Sequence, residues 1–462
     1  MTTHQDSPTL KRGIALIGVL VLVGLLSMLS LSLMYRMNAA ATSSATTLPS
    51  EQAWAAALSG LDRAISVVSE PTRTSLGWLD NPTEFKHQLV YNDGIDQWYF
   101  SVFRQGNLES GEIAYGVTDE ASKLPLTLTN VLQMMEVPNM TLPVAETLAD
   151  FVDSDSVTRD NGAEQDLYNL MPVAYSIPNR PVSFLDELLL AQGVTASHLY
   201  GEDANRNHKL DLNENDGDAL SPTDNQDGAL AGGLNRYFTL HARDWNVDQL
   251  NQPRVNINNP QLELSETELD EELISFLQAK RTAKQPINSL VSLIGATITV
   301  TEAGNINREY SSGVTEDNFA DLLDSYTINP NPILPARVNI NTAPANILSQ
   351  IPGLDETIAT AIVSTRTTVT PEKSQSIAWL IEAGVLGIDQ FAQLEPYLTA
   401  RSFQYHIQVI GYGIPSGKYR VLEAIVDLIG PSPRIIYLRD LTKLGIPYHF
   451  NPQQDMTLTQ ND

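Results

Sequence analysis

The chain has no cysteine, which excludes disulfides, thiolate metal sites and cysteine nucleophiles. Basic residues are scarce: 28 Lys and Arg stand against 55 Asp and Glu, for a formal net charge of −27. That imbalance repels nucleic acid and anionic headgroups and suits a domain that meets cations or basic partners. Catalytic patterns are missing too. There is no Walker loop, no G-x-S-x-G and no H-E-x-x-H, and the seven histidines are scattered singly. Paired carboxylates abound, but in a chain this acidic they signal nothing. The expectation is a protein that is not an enzyme. Its 462 residues, 42% of them hydrophobic, suffice for two or three domains with real cores.

Long apolar runs are confined to one place. Ile14 to Met34 has only Ser27, Ser30 and Ser32 as clearly polar members. A helix of that length spans roughly 30 Å, the thickness of a bilayer core. Lys11 and Arg12 precede it, which keeps the short leader in the cytoplasm and exports the rest. Three readings compete. A secretory signal peptide has a shorter apolar region, and Ala39-Ala40-Ala41 lies downstream of the run rather than at its end. A plain signal anchor fits the length. The Lys11-Arg12-Gly13 junction resembles a type IV prepilin leader. That likeness implies cleavage between Gly13 and Ile14 by a prepilin peptidase, with Ile14 as the new, N-methylated terminus.

Beyond the membrane segment, Trp54, Ala57, Leu58, Leu61, Ile65 and Val68 recur at helical spacing and form a stripe for a following sheet. Pro49 is expected to break this long helix, with Thr47 capping a restart. Trp98 to Phe103, an Asn/Gly turn, and Ile113 to Val117 read as an antiparallel hairpin. Strand patterns return at Tyr405–Tyr412, Tyr419–Ile429 and Arg434–Leu438.

Between these strands lies an internal repeat. Arg337-Val338-Asn339-Ile340-Asn341-Thr342-Ala343 leads into a helix, Ile351-Pro352-Gly353-Leu354 forms a hairpin, and a second helix surrounds Ile358, Ala361 and Ile362. This is a helix–hairpin–helix pattern. A degenerate copy runs from Lys123 through Val137-Pro138-Asn139-Met140 to Ala145. Arg254-Val255-Asn256-Ile257-Asn258 repeats the lead-in a third time. Glu263 to Ile294 reads as amphipathic helices. Small-residue hairpins of this kind contact DNA phosphates, but Asp355 and Glu356 follow Gly353 and oppose that role. A packing module or protein-binding surface is expected, with no nucleic acid. A type IV pilus or DNA-uptake component is the alternative.

The expected class is α+β: an N-terminal transmembrane helix, a pilin-like helix with a small antiparallel sheet, and a large inserted α-helical domain with helix–hairpin–helix modules. The expected divisions are a leader over 1–13, a transmembrane helix over 14–35, and helix with first strands over 36–122. An α-helical domain with a calcium-like loop follows over 123–250, then a helical region with the hairpin module over 251–400. Final strands occupy 401–450 and a polar tail 451–462.

One loop carries the sharpest site signal. Asp203, Asn205, Asn207, Asp211 and Glu214 place side-chain oxygens at positions 1, 3, 5, 9 and 12, and Lys209 offers its carbonyl at position 7. That spacing can wrap the chain around one Ca²⁺. His208 occupies position 6, where Gly normally makes the turn. The other reading is a plain polar loop. No EF-type helix precedes it, so a lone structural calcium site is expected. Asp216, Asp218, Asp224 and Asp227 form a second acidic patch that completes this site or forms another.

Taken in order, several features resemble the K-type minor pseudopilins of type II secretion. Gly18 stands at the fifth mature position, where most pilin-like proteins have Glu and the K type lacks it. Thr118-Asp119-Glu120-Ala121-Ser122-Lys123-Leu124 follows the first strands. Then come Asp153-Ser154-Asp155, Gly162-Ala163-Glu164 with Tyr168, Leu188-Leu189 before Gly193-Val194-Thr195, and the hairpin module. The resemblance implies a tip component of a periplasmic pseudopilus that supports export of folded proteins across the outer membrane. It implies a single-pass inner-membrane protein with its bulk in the periplasm, and I- and J-type minor pseudopilins as partners. It also implies a calcium-binding acidic patch in the helical domain, to which Asp153, Asp155 and Glu164 are assigned.

Overall fold

The computed structural model describes residues 10–70, 76–106, 113–126, 131–208, 210–217, 219–302 and 306–447, with backbone alone at 10–15, 40–46, 302 and 306. One helix runs from Leu10 to Ser69. Within it, Leu16–Ala39 is apolar and long enough to cross a membrane, and none of it is buried in the protein. The break expected at Pro49 does not occur, because Pro49 lies inside the helix. Proline forfeits one backbone hydrogen bond, but its fixed φ is helical. Four residues later the helix begins to bury Ala53, Ala56, Ala57, Leu61, Ala64 and Val68. That packing holds the turns after Pro49 in line, and Thr47 sits within the helix rather than at a cap.

The helix packs on an antiparallel sheet. Its main strands lie in the order Gln88–Asn92, Gln97–Gln105, Gln404–Ile414, Tyr419–Asp427 and Arg434–Asp440. The edge strand Gln88–Asn92 escaped the sequence reading because Leu89, Val90 and Tyr91 are all exposed, so nothing alternates. The expected early hairpin is small: Ile113–Ala114 pairs with Arg104 and Gln105. Its turn falls at 107–112, outside the described residues. The central strand pairs Val409 with Val102, so the sheet closes only after the chain has completed its insertion.

Contact between helix and sheet is close. A Cβ on Gly411 would lie 2.3 Å from the Ala53 carbonyl oxygen and 2.3 Å from the Ala57 amide nitrogen. Backbone cannot yield as a flexible side chain can. Gly411→Ala is therefore expected to lift the helix and cost roughly 2–3 kcal/mol, as overpacking does. A lower urea midpoint at unchanged slope would register it.

The insertion consists of three units closed in the same way. Leu124–Pro125 pairs parallel with Phe238–Thr239, Val255–Asn256 with Tyr326–Thr327, and Val338–Asn339 with Leu398–Thr399. The residue after each lead-in strand (Leu126, Ile257, Ile340) donates its amide to the threonine carbonyl. Each threonine hydroxyl in turn accepts from the amide two residues on, at His241, Asn329 and Arg401. The sequence repeat thus shows the opening half of a clasp used three times. Hairpins follow the first and third openings. Helices Val131–Met134 and Leu142–Val152 flank Asn139 at φ 63°, and Ala345–Leu348 and Glu356–Thr365 flank Gly353 at φ 88°. Asn is among the few residues that tolerate the left-handed turn glycine makes freely. One apolar core, including Phe151, Phe276 and Trp379, runs through all three units.

A buried polar joint connects sheet and insertion. Asp119 Oδ2 accepts from Asn339 Nδ2 at 3.0 Å, from the Thr342 hydroxyl at 2.5 Å and from the Ser402 hydroxyl at 2.5 Å. Its Oδ1 accepts from the Ala121 amide at 2.8 Å. Burial raises the Asp119 carboxyl above its ordinary range in spite of these bonds. At Glu120 burial also opposes ionisation, but the charges of Lys123 and His406 and the Thr239 hydroxyl outweigh it and bring the carboxyl down to about 2.

Candidate metal centre

The loop that opens at Asp203 follows the short helix Ala196–Tyr200 and ends in one turn over Leu212–Glu214. Asp203 Oδ1 accepts from the Asn207 amide at 2.9 Å and Oδ2 from the His208 amide at 3.1 Å. Glu214 accepts from the amides of Ala204 at 3.2 Å and Asp211 at 3.0 Å. The side-chain amides of Asn205 and Asn207 both donate to Asp211 Oδ2 at 2.7 Å. These contacts gather Asp203, Asn205, Asn207, Asp211 and Glu214 in one loop. Lys209 lies outside the described residues. Burial first, then the charges of Asp203 and Asp211, push the Glu214 carboxyl up to about 7 against its two amide hydrogen bonds. Such mutual repulsion marks a donor set that a divalent cation would relieve, and its oxygens are of the hard type calcium takes.

Two other loop positions make contacts beyond this set. Arg206 and His208 both adopt left-handed backbone, at φ 58° and 60°. His208 therefore makes the turn that Gly would make. Its Nε2 meets Gln408 Oε1 on the central strand at 2.5 Å. The Arg206 guanidinium lies 3.8 Å from the Tyr200 ring centroid and reaches Asp186 at 3.4 Å and Glu423 at 3.7 Å. These contacts offset the strain of L-residues at positive φ. The His208 ring thus bridges the oxygen set and the sheet, with its Nδ1 3.3 Å from Asp203 Oδ2, while Arg206 holds the sheet alone.

A tighter carboxylate group lies earlier in the chain. Asp150, Asp153 and Glu164, all buried, bring one oxygen each within 4.8 Å of the others. Arg159 pairs with Asp150, and with Asp153 at 2.7 Å. Asp153 Oδ1 and Glu164 Oε1 remain buried without a partner among the described residues. Burial, together with the charges of Asp153 and Asp150, raises the Glu164 carboxyl. Asp155 is exposed, and its Oδ1 accepts from the Val157 amide at 2.8 Å. Asp150 was not anticipated, although it stands one helical turn before Asp153 at the end of Leu142–Val152.

The second acidic patch serves turns. Asp224 accepts from the amides of Asp216 at 2.8 Å, Gly217 at 2.9 Å and Gln226 at 2.8 Å. Burial opposes its ionisation, but these bonds prevail and lower its carboxyl. Asp216 holds the Leu220 amide and Asp227 the Ala229 amide. Asp218 lies outside the described residues. Buried Glu202, also unanticipated, has one oxygen without a partner among the described residues and is raised by burial and by the charges of Asp227 and Asp224. At the hairpin of the third unit, Asp355 caps the Ile358 amide at 2.8 Å. The helix end a phosphate would need already has a carboxylate.

Residues 108–200 match the profile of the family described as type II secretion system (T2SS), protein K. Residues 336–399 match that of the helix-hairpin-helix motif. Over the first span, the resemblance read from the motifs is borne out. Among solved structures, the GspK–GspI–GspJ complex of the enterotoxigenic Escherichia coli type 2 secretion system contains a similar chain. It is 10% identical, with a TM-score of 0.34, and the match covers 88% of this chain and 99% of that one. No curated protein matches the chain.

Proposed function

We propose that this chain is a minor pseudopilin of the K type, seated at the tip of a periplasmic pseudopilus and acting by assembly rather than catalysis. The protein K match over residues 108–200 carries the reading. The helix that holds Leu16–Ala39 and continues into the sheet supports it, since one rod links the membrane segment to the exported fold. The protein crosses the inner membrane once, with its bulk in the periplasm. Gly18 offers no carboxylate to a subunit above, and the three-unit insertion leaves little room for one. I- and J-type minor pseudopilins are then its neighbours. Calcium, held by Asp203, Asn205, Asn207, Asp211, Glu214 and the Lys209 carbonyl, steadies the loop that Arg206 and His208 tie to the sheet. Asp150, Asp153 and Glu164 are a second candidate set.

Processing tests the reading. The mature protein should begin at N-methylated Ile14, because Gly13 follows two basic residues. Mass spectrometry showing an intact Met1, or a start after Ala41, would contradict it. The helix-hairpin-helix match favours a second reading, a DNA-uptake pilus component. Its cost is electrostatic: each phosphate meets net repulsion, and Asp355 occupies the hairpin's amide. Salt-sensitive retention of DNA in a gel shift would revive it.

A further inference from the structure

A cavity of about 260 Å³ lies where the sheet, the first unit and the third unit meet. Its polar wall includes Arg104, Lys123 and Arg236, while Leu230 and Ile347 supply apolar wall. Lys123 is paired with Glu120 at 2.9 Å. The two arginines are different. Arg104 donates Nε to the Leu79 carbonyl at 2.6 Å and Nη1 to the Gln105 carbonyl at 2.8 Å. Arg236 donates Nη1 to the Leu230 carbonyl at 2.7 Å, and its Nε is buried without a partner among the described residues. Neither makes an ion pair among the described residues. A guanidinium has five N–H donors, so part of each fork is unclaimed. Burial lowers the pKa of both, and it outweighs the charge of Asp80 at Arg104 and those of Tyr237 and Asp203 at Arg236. The carboxylate in the wall, Asp203, is already held by the Asn207 and His208 amides.

We propose that this cavity binds a carboxylate carried on a short apolar body, the chemistry of a peptide C-terminus. Arginine forks match a carboxylate's two oxygens, and the apolar wall accepts the last side chain. Inorganic phosphate would satisfy the forks but leave Leu230 and Ile347 uncovered.

Acetyl-leucyl-phenylalanine, titrated into the full-length protein in detergent and followed by calorimetry, tests this. Saturable binding is expected at roughly millimolar Kd, given the size of the probe. The same peptide with a C-terminal amide should bind about ten-fold more weakly, because the charge-assisted bonds are lost. Arg104→Met and Arg236→Met should each produce a weakening of about the same size. The acid–amide comparison needs no variant, so it stands if either substitution disturbs folding. Equal binding of acid and amide, no saturable binding of the acid, or phosphate binding as tightly as the peptide would each overturn the proposal.

Discussion

Alanine at both Asp203 and Glu214 should abolish calcium binding by the loop in calorimetry. It should also remove the stabilisation calcium gives the folded chain, about 2.7 kcal/mol at a hundred-fold excess over Kd. Chelation should lower the melting temperature of the unaltered protein and leave the double variant nearly unmoved. The size of the effect follows from the charges. Glu214 is pushed up to about 7 by burial and by the charges of Asp203 and Asp211, a repulsion that a bound cation would relieve. The loop also meets the sheet through His208 and Arg206, so its loosening should reach the contacts with Gln408 and Glu423. An unchanged isotherm in the double variant would move the site to Asp150, Asp153 and Glu164, where two buried oxygens lack partners among the described residues.

The second large effect is expected at the joint between sheet and insertion. Asp119→Ala leaves Asn339, Thr342 and Ser402 without their common acceptor. Each unmet buried donor costs about 1–3 kcal/mol, so a loss of about 3–5 kcal/mol is expected after relief of a buried charge. Glu120 gives the joint its pH dependence. Its carboxyl falls from an ordinary 4.5 to about 2 on folding. The stability it contributes is therefore complete above pH 4.5 and is lost as pH falls through about 2. Glu120→Gln should remove about 3 kcal/mol at neutral pH and flatten the acid limb of a stability profile. Asp119 acts in the opposite sense. Its raised pKa means that ionisation subtracts stability as pH rises through its folded value. A Glu120→Gln profile as steep as that of the parent would refute the assignment.

Much of this architecture was legible in the sequence, for reasons that differ by element. The membrane run announces itself by unbroken apolarity, and the strands Gln404–Ile414 and Tyr419–Asp427 by the apolar residues their near-continuous burial requires. The lead-ins Arg337-Val338-Asn339 and Arg254-Val255-Asn256 were visible because the opening strand of each unit needs the same residues. Their closing partners were not. Phe238-Thr239, Tyr326-Thr327 and Leu398-Thr399 share little beyond threonine, and the hydrogen bonds they make come mostly from the backbone. Pro49 was misjudged because local propensity favours a break, whereas packing from Ala53 onward continues the helix. At the site, the loop's spacing identified its oxygens, but the role of His208 depends on Gln408, two hundred residues away. Asp150 was within reach of the sequence, one helical turn before Asp153, whereas Glu202 meets the charges of Asp224 and Asp227 only in the fold.

Co-purification with I- and J-type minor pseudopilins tests the central claim most directly. The account predicts a stable heteromeric complex containing all three proteins, in which this chain forms no fibres of its own. Self-assembled fibres of this chain, with neither pseudopilin retained, would contradict it.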